Sequence, residues 1–287
     1  MRSYSPEQLA LRRDRVCSTP ICLGADLRLC CWHSLRKLFL KMNTRNIFTD
    51  PAVAQFYELT PRDRQDHMFC KSLARNARSV LDLGCGTGEL TVQLVKGRRV
   101  VGLDPAGAML DIARTRPGGE QVTWVEGDAR SFDLGETFDL ICLTGHSFQF
   151  FLTKEDQRAA LSCIAKHLSP TGQFVFDTRN PDFPGRKTRS KQETLSQSMH
   201  SKLGPIESWN ISEYDEAEQI LSFINAYKSL ETGEIFSAPS QLKYTSQKKL
   251  AQLMADTGLQ VTDWLGEWTG EPYHPLSREI IPVGGKA

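Results

Sequence analysis

The chain has 287 residues, 40% of them hydrophobic and 24% charged, with eight cysteines and a net charge of +1. That profile suits one large globular domain, or one domain with a modest insertion, and excludes a disordered, collagen-like or coiled-coil chain. A net charge this close to zero also excludes long-range steering onto nucleic acid or an anionic membrane.

Residues 1–41 are a different kind of sequence, with eight Lys/Arg against three Asp/Glu, whereas the remainder is net acidic. Cys17, Cys22, Cys30 and Cys31 fall in this basic stretch, and Cys70, Cys85, Cys142 and Cys163 are scattered beyond it. No secretory signal follows Met1, so the expectation is a cytoplasmic protein with reduced thiols, a mitochondrial leader being the alternative. Asp26, Arg28, Arg36 and Lys37 interrupt the apolar run from Ile21 to Leu40, so no membrane span is expected. Three origins fit residues 1–41: a targeting leader, a disordered tail, or translated sequence upstream of a start at Met42; the last two are the expectation. Cys17, Cys22, Cys30, Cys31 and His33 lack two CxxC-type pairs, and no metal site is expected.

Beyond Met42, apolar runs alternate with helical patterns. Strands are expected at Ser79 to Gly84, Arg99 to Asp104, Gln121 to Glu126, Phe138 to Leu143 and Gln173 to Asp177. Helices are expected at Glu89 to Lys96, Ala106 to Arg114 and Lys154 to Leu168, the last stopped by Ser169-Pro-Thr-Gly172. Residues 178–206 are polar and rich in Pro, Gly and Ser, which predicts a loop. Strands at Glu207 to Tyr214, Gln219 to Leu230 and Glu234 to Tyr244 follow, then a helix from Gln247 to Thr257 and two strands, from Gly258 and from Arg278 to Val283. Pro282 removes a ladder donor there and predicts a bulge or an early end to pairing. The predicted fold is α/β: a doubly wound, mostly parallel seven-stranded sheet with an antiparallel β insertion after the fifth strand. The expected organisation is an extension over 1–41, a core over 42–178, the loop and insertion over 179–246, and a last helix with two core strands over 247–287.

The run Val80-Leu-Asp-Leu-Gly-Cys-Gly-Thr-Gly-Glu-Leu90 carries the chemistry. A buried strand delivers the chain to Gly84, Gly86 and Gly88, where backbone can approach a ligand without a Cβ in the way. The spacing is GxGxG, and Glu89 stands where a dinucleotide fingerprint has its third glycine. A pyrophosphate sits poorly beside Asp82; a cationic ammonium suits it. Asp104 ends the next strand, where a carboxylate can accept both ribose hydroxyls. Asp128, after the third strand, suits an adenine amino group. An amino-acid end, a ribose and an adenine without phosphate describe S-adenosylmethionine (SAM).

The chain resembles the class I SAM-dependent methyltransferases of small-molecule type over residues 47–285. VLDLGCGTG resembles the family's first motif. GLDPAGAML (102–110) resembles the second, which implies Asp104 with Pro105 at the ribose and Met109 beside the adenine. VEGDAR (125–130) resembles the adenine motif, with Asp128 and Ala129. FDLICLTGHSFQFF (138–151) resembles the segment whose end, at Leu143, faces the methyl group, and LSPTGQFVFD (168–177) resembles the fifth-strand motif. Tyr57 lies in a stretch that resembles the amino-terminal helix closing over SAM. The resemblance implies methyl transfer by in-line displacement to a small-molecule acceptor, with no nucleic acid or membrane partner, by a monomer or homodimer.

His146, just past the fourth strand, is a candidate general base or a pocket-shaping residue. Cys85 reads as a small residue of a crowded turn, because SAM transfer needs no covalent intermediate. Arg179 and Asn180 mark the pocket rim. Arg186, Lys187, Arg189 and Lys191 read as a solvated loop, and Trp209, Tyr214, Tyr227, Phe236 and Tyr244 mostly as packing. A non-catalytic SAM-binding protein, or a methyltransferase acting on a protein, is the alternative function.

Overall fold

The computed structural model describes residues 48–59, 64–185 and 187–287. The expectations for residues 1–41, zinc ligands included, lie outside the described residues.

Five strands alternate with helical segments: β1 (Ser79–Leu83), β2 (Arg99–Asp104), β3 (Thr123–Glu126), β4 (Phe138–Leu143) and β5 (Leu168–Phe176). The two-residue β6 (Thr178–Arg179) follows, then the antiparallel strands β7 (Ser196–His200), β8 (Gly204–Asp215), β9 (Ile220–Ser229) and β10 (Ile235–Lys243). The chain ends with β11 (Leu259–Leu265) and β12 (Glu279–Lys286). Among the described residues the main sheet has seven strands in the order β11-β12-β5-β4-β1-β2-β3, with β6 extending the pairing along β12. Pairings from β3 to β5 are parallel; β12 runs antiparallel to both its neighbours.

Side-chain alternation divides the core. Leu81, Leu83, Leu103, Ile141, Leu143, Phe174 and Phe176 pack on one face, against Leu161 and Ile164 of α4 (Lys154–His167) and Leu250, Leu253 and Met254 of α6 (Gln247–Asp256). Val80, Val100, Leu140, Cys142 and Val175 pack on the other, against Cys70 of α2 (Gln65–Leu73) and Leu90 and Leu94. A sheet covered on both faces needs the near-continuous apolar strands seen here, and each buried Leu or Phe stabilises it by about 2 kcal/mol.

The expected helix at Glu89 to Lys96 is only a 3₁₀ turn, Thr91–Leu94. Gly88 and Gly97, both at positive φ, bound the segment, and β-branched Thr91 and Val92 favour a helix poorly. The loop expected over 178–206 holds β6, a one-turn helix α5 (Lys191–Thr194) and β7. Ser190 and Glu193 close a capping box on α5. β7 is the polar edge of a four-stranded antiparallel sheet ordered β10-β9-β8-β7, so the insertion has one strand more than expected. Pro282 is accommodated in a gap. Pairing of β12 with β6 ends at Ile280, that with β5 begins at Val283, and β11 shifts register between Val261 and Asp263.

Candidate functional site

Strand β1 lies at the switch in strand order, between β4 and β2, so the loop leaving it opens at the carboxyl edge where doubly wound sheets take ligands. Gly84, Gly86 and Gly88 have φ of 70°, 53° and 74°, a region that only glycine enters freely. The amides of Gly84 and Cys85 both donate to the Leu103 carbonyl, at 2.7 and 3.1 Å, and hook the loop onto the end of β2. The glycines do different work. A Cβ on Gly88 would stand 2.5 Å from the Trp124 ring, whereas one on Gly86 would meet nothing within 4 Å. Gly86 therefore presents bare backbone to open space.

Two buried acids stand behind that opening. Asp104 accepts the Gly86 amide on Oδ2 at 2.8 Å and the Ala106 amide on Oδ1 at 2.9 Å, so each oxygen keeps a lone pair. Burial raises its pKa, against those two bonds. Asp82 is 2% exposed and accepts the Thr91 hydroxyl at 2.6 Å. Burial pushes its pKa from 3.8 up to about 7; the Thr91 bond opposes this and the charge of Asp104 adds to it. Burial, then the charges of Asp82 and Asp104, hold the Cys85 thiol well above its ordinary pKa, so it stays protonated and is a poor nucleophile.

Asp128 is placed differently. It is half-exposed, and Arg130 grips both its oxygens, Nη2 at 2.6 Å from Oδ2 and Nε at 2.9 Å from Oδ1, which lowers its pKa. Pro105 is exposed, whereas Met109, Ala129 and Leu143 are buried in the protein's own core. Tyr57 packs with Ala54 of α1 (Pro51–Ala54), near Ala106 and Met109, which begin α3 (Gly107–Thr115). Phe56 turns the other way, stacking on Tyr227 with ring centres 4.6 Å apart and touching Phe236. Residues 48–59 thus bridge α3 and the antiparallel sheet. Arg116 ties Thr87 of the glycine loop to Glu58 of the same bridge.

The fourth-strand side brings together residues that sequence reasoning separated or missed. His146 has φ of 62° and follows Gly145 at 69°. Its amide donates to Asp177 Oδ1 at 2.9 Å, and its Nε2 lies 3.0 Å from Glu279 Oε2 and 3.4 Å from Asp177 Oδ2. Both acids are buried, and burial raises the pKa of Asp177, with the His146 charge opposing and Glu279 adding. Arg64 was also missed. Its Nη2 bonds Glu89 at 3.1 Å, and its Nε is buried without a partner beside the glycine loop. An arginine with a spare donor there is legible only once α2 is seen against the loop.

Other rim expectations change character. Asn180 is structural, donating to the carbonyls of Pro275 and Ser277 at 2.8 Å each. Lys187 donates to two carbonyls and lies over Tyr214, and Lys191 lies 3.8 Å over Trp209 while staying 40% exposed, so both cations are engaged by the fold, whereas Arg189 is exposed. No helix among the described residues is long and apolar enough to cross a membrane.

A family model for a methyltransferase domain matches residues 80–172, the stretch from β1 to the turn within β5. The cypemycin N-terminal methyltransferase of a Streptomyces species is 30% identical over 212 residues, which cover 72% of this chain and 83% of that protein. The dTDP-4-amino-2,3,4,6-tetradeoxy-D-glucose N,N-dimethyltransferase of Saccharopolyspora spinosa is 37% identical over 102 residues, 35% of this chain but only 40% of that enzyme. Among solved structures, the CcbJ methyltransferase from Streptomyces caelestis superposes with a TM-score of 0.69 at 24% identity, covering 82% of this chain and 96% of that one. The chain belongs to the class I SAM-dependent methyltransferases. It is an enzyme of methyl transfer, with the fold that the sequence predicted.

Proposed function

We propose that the chain transfers the methyl group of SAM to an amino group on a small-molecule acceptor. The observation that carries this reading is the pairing of two buried carboxylates, Asp82 and Asp104, with the bare backbone at Gly86. The residues present fit the cofactor. Asp104 has a lone pair left on each oxygen for the two ribose hydroxyls. Asp82 answers the ammonium, Arg64 with its orphaned Nε answers the carboxylate, and Asp128 answers the adenine amino group. Gly84, Cys85, Pro105 and Tyr57 form the surrounding walls, and Gly88, Met109, Ala129 and Leu143 pack behind them.

When bound, SAM supplies an electrophilic methyl group on a sulfonium. The chain's part is alignment and exclusion of water, for which residues 48–59 are the cover. An amine that arrives protonated must lose a proton before it can attack, and His146 takes it. The choice of an amino group is supported by the names of two relatives, an N-terminal methyltransferase and an N,N-dimethyltransferase of an amino sugar.

Calorimetry with the demethylated product, S-adenosylhomocysteine, tests the cofactor site: wild type should bind at about micromolar Kd and Asp104→Ala about 100-fold more weakly. Equal binding by the variant would remove the site assignment. The acceptor is tested by incubating the enzyme and SAM with paired amines and alcohols of matched skeleton, on sugar and peptide scaffolds, and reading methylated product by mass spectrometry. Methylation of alcohols but not of amines would overturn the amino-group reading.

A further inference from the structure

We propose that Glu279 is a positioning residue for methyl transfer: with Asp177 it holds the proton of His146 on Nε2 and leaves Nδ1 as the nitrogen that takes the acceptor's proton. The inference rests on His146 as the base.

The topology makes this contact. Parallel strands present their carboxyl ends at the ligand edge, so only an antiparallel strand can bring its first residue there. β12 is antiparallel to β5, and Glu279 is its first residue. It reaches a histidine 133 positions earlier in the chain.

The two carboxylates divide the task. Asp177 holds the backbone: its Oδ1 accepts the His146 amide and fixes a left-handed conformation that a side-chain-bearing residue disfavours. Glu279 holds the ring, its Oε2 3.0 Å from Nε2, with Asp177 Oδ2 at 3.4 Å on the same nitrogen. An ionised Glu279 can only accept, which places the proton on Nε2. The hydrogen bonds that His146 makes among the described residues use its amide and Nε2 and leave Nδ1 free of them, and the side chain is 22% exposed. A neutral imidazole with Nε2 protonated has its lone pair on Nδ1. The balance is simple. The acceptor N–H proton goes to Nδ1, the nitrogen lone pair forms the new bond to carbon, and the electrons of the broken C–S bond stay on sulfur. The imidazolium, held by two carboxylates, then returns its proton to solvent.

The test combines proton-detected ¹⁵N NMR of the histidine-labelled full chain with kinetics on whichever amine the screen above turns over best. His146→Gln assigns the signal among six histidines. Wild type should show an Nε2–H resonance protected from exchange with water. Glu279→Leu should lose that protection, and Glu279→Gln, whose amide oxygen still accepts, should keep it. Glu279→Leu should lower kcat at least tenfold with KM for SAM unchanged, Glu279→Gln should recover most of that loss, and S-adenosylhomocysteine should bind both variants as wild type. A proton on Nδ1, an unchanged resonance in Glu279→Leu, or a resonance that moves on adding EDTA, the mark of a bound cation, would overturn the proposal. Unchanged kcat in His146→Gln removes the base reading itself. A loss in His146→Gln with none in Glu279→Leu removes the positioning role alone.

Discussion

On the β1–β2 side, Gly86 and the acid that accepts its amide are 18 positions apart, joined by one loop, one turn and one strand. On the β4–β5 side, His146 and Glu279 are 133 positions apart and meet only because β12 runs against its neighbours. The first cluster is local in sequence and its residues hold one another through backbone amides. The second is long-range, and its side chains hold one another directly. In the proposed reading the local half binds the part of the reaction common to the family, and the distant half meets the acceptor. The difference teaches where substitutions should damage the fold, where they should damage binding, and where they should damage only the chemical step.

The sharpest break in that comparison comes from two neighbouring glycines. Gly88→Ala puts a methyl 2.5 Å from the Trp124 ring at a φ of 74°. Left-handed strain and overpacking together should cost about 3 kcal/mol, read as a lower urea midpoint. Gly86→Ala meets nothing within 4 Å, so its cost to stability should be about 1 kcal/mol, from its φ alone. Its effect should appear in binding, as a loss of about tenfold or more in affinity for S-adenosylhomocysteine, since the methyl group occupies the approach. A Gly86→Ala variant that binds like wild type would mean the open space is not where the ligand sits.

Asp82 sharpens the comparison through pH. The folded chain binds its proton more tightly than the unfolded chain, because burial raises its pKa from 3.8 to about 7. Folding stability from this group therefore falls as pH rises through that window and is level above it. Asp82→Asn removes the buried charge and keeps an acceptor for Thr91. The unliganded variant should be more stable than wild type at pH 8 by up to about 4 kcal/mol, with the gain shrinking toward pH 4. It should bind S-adenosylhomocysteine more weakly at pH 8. Higher stability with intact affinity would place the ligand's ammonium elsewhere.

The same contrast explains what was legible in the sequence. Asp82, Asp104 and the three glycines stand in one run of strand, loop and strand, where spacing alone suggests the chemistry that the proposed reading assigns them. Glu279 carries no such signal, because a glutamate opening a strand reads as solvent-facing until the antiparallel direction of β12 is known. Arg64 is equally silent, since its meaning comes from α2 lying against the glycine loop. β7, Ser-Gln-Ser-Met-His, has almost no apolar alternation, and pairing with β8 makes it a strand where propensity does not. The short turn after Gly88 misleads in the other direction. Its apolar spacing is helical, but two glycines leave too few residues for a helix to propagate.

The smallest effect concerns Asp128, the acid of the local cluster that a charged side chain already holds. Arg130 spans Asp128 and Asp156, at 2.6 and 2.8 Å, but its side chain is 44% exposed. Solvent screens such a pair, so Arg130→Met should cost less than about 1 kcal/mol of stability. Its effect on the cofactor separates two ways of building an adenine contact. If the carboxylate is a plain acceptor, freeing it from Arg130 leaves affinity for S-adenosylhomocysteine within about threefold of wild type, which is the expected result. A tenfold fall would instead make Arg130 the residue that aims Asp128. The local half would then depend, as the distant half does, on one side chain holding another in place.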